Sequence, residues 1–88
     1  MGKYDYILNG DTCIIKYSII KIGIFDILEL FEIYQVSDTT IDATKLICDL
    51  KELTVIIEIL YNKEELSHLQ YKSLMELAKE VNETILNN

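Results

Sequence analysis

From Ile41 to Leu86, apolar and polar positions recur with the period of an α-helix, in runs on either side of Asn62-Lys63-Glu64-Glu65. In the first run Ala43, Leu46, Ile47, Leu50 and Leu53 share one face, and Asp42, Lys45, Asp49 and Glu52 share the other. In the second, Tyr71, Leu74, Ala78, Val81 and Ile85 form one stripe. Lys72/Glu76 and Lys79/Glu83 are i,i+4 pairs on its polar side. The pattern predicts helices over 41–61 and 67–86, folded back on each other. Ser67-His68-Leu69-Gln70 is a capping box, with Ser at N-cap and Gln at N3. Leu66 and Tyr71 stand at the N′ and N4 positions of a hydrophobic staple. Asn62 with Glu65 at N3 is a competing start for the last helix.

Thr54 to Tyr61 fits two periods. Val55, Ile57, Ile59 and Tyr61 alternate as a strand does, and Val and Ile favour strands. No breaking residue separates Leu53 from Thr54, so the helix is expected to continue, with a third strand over 54–61 as the alternative. On the helical reading Ile57, Leu60 and Tyr61 keep to the established face. Val55, Ile56 and Ile59 then form a second apolar face that needs its own cover.

Upstream the pattern changes. Tyr4-Asp5-Tyr6-Ile7-Leu8 and Thr12-Cys13-Ile14-Ile15-Lys16-Tyr17 flank Asn9-Gly10, a dipeptide suited to a type I′ turn because both central residues there need positive φ. A β-hairpin is expected over 4–17, its second strand running on toward Ile22 and ending or bending at Gly23. Ile24, Ile27, Leu28 and Phe31 then return to helical spacing beside Asp26, Glu29 and Glu32, which predicts a helix over 24–35. Phe25, Leu30 and Ile33 widen its apolar arc, so this helix is either sandwiched or part of an interface. Val36-Ser37-Asp38-Thr39-Thr40 is a polar break that supplies N-cap residues to the next helix. The expected fold class is α+β: one small domain over residues 1–88, with an N-terminal β-hairpin followed by about three α-helices ending in a helical hairpin.

Composition sharpens this picture. Half of the 88 residues are hydrophobic and 26% are charged, a mixture too apolar for disorder. A chain of this length buries only roughly 60–65% of its unfolded surface, so a lone copy is marginal and apolar surface is left for a partner. Acidic residues outnumber basic ones 15 to 8, giving a net charge of −7, and all the basic residues are lysines with no two adjacent. Direct nucleic-acid binding is therefore not expected, since it needs clustered cations. An anionic membrane surface is repelled in the same way. A protein with a basic surface is the natural complement, although acidity also serves solubility. The N-terminus lacks the apolar core of a signal peptide, Gly2 lacks the Ser or Thr at position six of a myristoylation signal, and no apolar run approaches membrane-spanning length. A cytoplasmic location is expected.

Candidate chemistry is sparse. Cys13 and Cys48 form no CxxC and have no histidine at zinc spacing, so they read as free thiols behaving as small buried hydrophobes. His68 is the single histidine and lies near Glu64 and Glu65. Nucleophilic catalysis needs a base within reach of Ser, Cys or Thr; Cys13 with His68 is the thiol–imidazole pairing left open, and nothing in the sequence brings the two together. No metal-ligand spacing and no phosphate-cradling glycine loop occurs, so no catalytic residue, metal or cofactor is expected.

Binding remains. The expectation is a non-catalytic, small acidic protein-binding factor, an inhibitor or regulator of anti-defence, immunity or antitoxin type. The alternative is a homo-oligomeric structural or adaptor module of a phage or mobile element, a setting to which the richness in Ile, Asn, Lys and Tyr points. Partner-binding residues are expected at Val55, Ile56 and Ile59, the face over which a homodimer would form, and at the acidic row Asp26, Glu29 and Glu32. The six tyrosines, Tyr4, Tyr6, Tyr17, Tyr34, Tyr61 and Tyr71, suit interface hot spots.

Overall fold

Along the chain come a 3-10 turn at Asp5–Ile7 and three helices: α1 over Cys13–Val36, α2 over Ala43–Asn62 and α3 over His68–Leu86. The computed structural model describes residues 4–8, 13–36 and 43–87. Each helix packs against both of the others, and the turn lies on α1. At 1.5 Å per residue α1 is about 36 Å long, so the helices run along the 42 Å axis of a 42 × 25 × 17 Å molecule. The core lies where three apolar stripes meet: Ile20, Ile24, Ile27 and Phe31 from α1, Leu50, Leu53, Ile57 and Leu60 from α2, and Leu74, Ala78, Val81 and Ile85 from α3.

All regular structure among the described residues is helical, which corrects the expected α+β class. Residues 13–17, expected as the second hairpin strand, form the first turns of α1, and Tyr4–Leu8 folds into a 3-10 turn in which the Ile7 amide donates to the Tyr4 carbonyl at 3.0 Å. The Asn9-Gly10 pair lies outside the described residues. The reason is a stripe that begins earlier than its clearest portion. Lys16, Ile20, Ile24, Ile27 and Phe31 are four, four, three and four residues apart and all are buried, so one helical face continues back through Gly23. β-branched residues cost a helix only a few tenths of a kcal/mol each, and an interior glycine about 1 kcal/mol. Burial of an Ile side chain returns roughly 1.5–3 kcal/mol. Packing therefore overrides strand propensity.

The same balance decides residues 54–61, where the alternative third strand does not form and α2 runs through to Asn62. α2 meets α1 and α3 together, so its buried arc is broad. It takes in Ile56 beside Leu53, Ile57 and Leu60, and leaves Val55 exposed.

The turn into α3 is built from backbone hydrogen bonds. Glu64 has φ 63°, its amide donates to the Tyr61 carbonyl at 3.0 Å, and the Glu65 amide donates to the Leu60 carbonyl at 2.9 Å. This is a Schellman motif closing α2, with glutamate at the left-handed position that glycine normally takes. Leu66 is buried immediately afterwards. The Ser67 hydroxyl then accepts from the Gln70 amide at 3.1 Å, and the Gln70 side chain accepts from the Ser67 amide at 3.0 Å. The capping box thus starts α3 at the position its sequence indicated. The competing start at Asn62 is excluded, because Asn62 is the last residue of α2.

One charge is enclosed by this packing. Lys16 is only 3% exposed, and its ammonium donates to a carboxylate oxygen of Glu65, the residue that ends the Schellman turn. Removing one partner of a buried pair leaves the other desolvated and uncompensated. Glu65→Ala is therefore expected to lower unfolding free energy by about 3 kcal/mol in urea titrations, and adding Lys16→Met to that variant should recover most of the loss. Glu64→Gly is expected to raise stability by about 1 kcal/mol by relieving the left-handed glutamate; an unchanged or lower urea midpoint would contradict the assigned turn.

Candidate interaction surface

α1 is apolar on more than its buried side. Outside the core stripe stand Ile22 (59% exposed), Phe25 (45%), Leu30 (40%) and Ile33 (52%). Asp26, Glu29 and Glu32 are exposed on the same outer side, three residues apart and interleaved with these groups. α1 is thus covered by α2 and α3 on one side and presents a mixed apolar and acidic surface on the other. This helix is sandwiched along one stripe and bare along the next.

A groove flanks this face on each side. One, of about 380 Å³, runs between the 3-10 turn and α1, with Tyr4, Tyr6, Ile22, Gly23 and Leu30 in its walls and Asp26 and Asp49 as its charged groups. The other, of about 460 Å³, separates α1 from α3 and is lined by Phe25, Leu28, Leu77 and Val81 with Glu80 and Glu83. Among the described residues, every charged group lining either groove is a carboxylate. A smaller cleft of about 200 Å³ between α2 and α3 differs in sign, carrying Lys51 and Lys79 over Leu50, Met75 and Ala78.

The other expected partner-binding residues do not share one surface. Val55 is 56% exposed and Ile59 half-buried, whereas Ile56 is 2% exposed within the core. The middle side chain of that set already has its cover from the chain itself. Cys48, expected as a small buried hydrophobe, is instead exposed on α2 as a free thiol.

Pattern reading did not anticipate one cluster. At the hairpin end of α2 and α3 the Tyr61 and Tyr71 rings stack with centroids 4.1 Å apart. The Tyr71 hydroxyl donates to Glu58 Oε1 at 2.7 Å, and the Tyr61 hydroxyl lies 3.1 Å from His68 Nδ1. Glu58 and Tyr61 are three apart on α2, and His68 and Tyr71 three apart on α3, so an antiparallel hairpin sets the pairs opposite each other. That spacing was the available signal. Glu58 and His68 are exposed and the two tyrosines half-buried; the group lines none of the three clefts, and its chemistry is that of a clasp across the hairpin. Among the described residues no three His, Cys, Asp or Glu side chains gather to hold a metal ion, and no helix is long and apolar enough to cross a membrane.

The hydrogen bond to Glu58 holds the Tyr71 phenol above its ordinary titration range, with smaller contributions from desolvation and from the Glu58 and Tyr61 charges. A pKa raised in the folded state means that the contact stabilises the fold fully below the unfolded tyrosine range and loses that contribution as pH rises through the folded value. Spectrophotometric titration at alkaline pH should show Tyr71 ionising later than the same tyrosine in Glu58→Gln. Coincident titration curves would count against the clasp.

Comparison with protein-family models, with curated proteins and with solved structures finds no match, so a functional reading of this chain rests on the surface itself.

Proposed function

We propose that the chain is a non-catalytic protein-binding factor, an inhibitor or regulator, which docks on a larger protein of basic surface through the outer face of α1. The observation that supports this reading is the row of exposed Ile22, Phe25, Leu30 and Ile33 interleaved with Asp26, Glu29 and Glu32. Large apolar side chains exposed together mark interaction surfaces, and the charge around them sets the sign of the partner. That same charge weighs against a second copy on this face. Two α1 helices facing each other would set these three carboxylates against the same three, with no lysine at those positions to offset them. Self-association through Val55, Ile56 and Ile59 is weakened separately, since Ile56 has no exposed surface to offer.

A photo-crosslinking amino acid placed at Phe25, and in a second variant at Leu69, tests the reading in extracts of the cells that make the protein. Leu69 is 77% exposed but lies in the first turn of α3. The expected result is a discrete adduct from position 25, none from position 69, and loss of the adduct when Asp26, Glu29 and Glu32 are all changed to Lys with helical content retained. Equal labelling from both positions, or none from position 25, contradicts the proposal.

A further inference from the structure

We infer that the groove between the 3-10 turn and α1 receives the apolar side chains of a basic, amphipathic helical segment of the partner. This rests on the protein-binding reading above and adds where the partner's anchor sits and what it is made of. Tyr6, Ile22 and Leu30 supply apolar walls that the chain leaves exposed. Asp26 from α1 and Asp49 from α2 are the charged groups of the groove, and among the described residues no cation lines it. An occupant is therefore favoured by apolar anchors flanked by Lys or Arg and rejected when the flanks are acidic. A helix meets that demand simply, because side chains at i and i+4 point to one side and cations fit beside them.

The test is titration of the purified full chain with a synthetic helical peptide carrying leucines at i and i+4 and lysines on both flanks, alongside the same peptide with glutamates in place of the lysines. Saturable binding is expected for the lysine peptide alone. Asp26→Lys should weaken it about tenfold, a loss of about 1.4 kcal/mol. Glu76→Lys changes net charge equally but lies on α3 outside the groove, and should have little effect. Circular dichroism on each variant checks the fold, and Asp26→Asn substitutes should Asp26→Lys unfold.

Equal weakening by Asp26→Lys and Glu76→Lys would show general charge attraction and overturn the inference. So would absence of saturation, or a wild-type dimer in sedimentation that Asp26→Lys dissociates. Failure of the peptide with the adduct at position 25 intact removes this inference alone; failure of both removes the functional reading as well.

Discussion

The stripe of Leu50, Leu53, Ile57 and Leu60 along α2 keeps no appreciable contact with water, and only cover from two sides at once can achieve that. Each such side chain contributes roughly 1.5–3 kcal/mol on burial. Four together match the scale of a small domain's whole net stability, about 5–15 kcal/mol. The α2–α3 hairpin alone covers one flank of the stripe. α1 has to cover the other, and the helical state of its first turns follows from that requirement. Had residues 13–17 formed a hairpin strand, the face bearing Lys16 and Ile20 would not align with Ile24, Ile27 and Phe31.

This constraint also explains the polar features of the interior. Bringing the start of α1 against the turn after α2 encloses Lys16, and Glu65 is the carboxylate placed to neutralise it. The backbone amide of Tyr4 finds Glu52 Oε1 at 3.1 Å, which ties the 3-10 turn to α2 while the turn itself packs on α1. Both carboxylates belong to the α2 side of the core, and both receive donors from the N-terminal part of the chain. No buried side-chain nitrogen or oxygen among the described residues lacks a partner.

Three helices of these lengths can close over one core but cannot also cover the far side of α1. The apolar residues left there are interleaved with carboxylates. The proposed partner, a protein surface rich in lysine or arginine with apolar anchors, would meet both features of that face. The functional reading thus grows from the same imbalance between apolar content and chain length that shaped the core.

Most of the second half of the chain was legible in its sequence, with residues 54–61 left open between helix and strand. Periodicity placed α2 and α3 to within two residues at each end, and the Ser67/Gln70 capping box was legible because it is made by residues three apart. Local chemistry misled where long-range packing decides. Tyr, Ile and Thr around Asn9-Gly10 spelled a hairpin, yet helical φ and ψ at residues 13–23 cost little beside the burial of Ile20 and Ile24. The Schellman turn escaped notice because glutamate, not glycine, holds its left-handed residue. Asp26, Glu29 and Glu32 were legible as an acidic row, since an exposed helix face carries its own spacing. That Ile56 belongs to the core and Val55 to the surface, one residue apart, was a matter for tertiary structure alone. Periodicity gives the angle between two side chains on a helix, but only the position of the neighbouring helices says how wide an arc they cover.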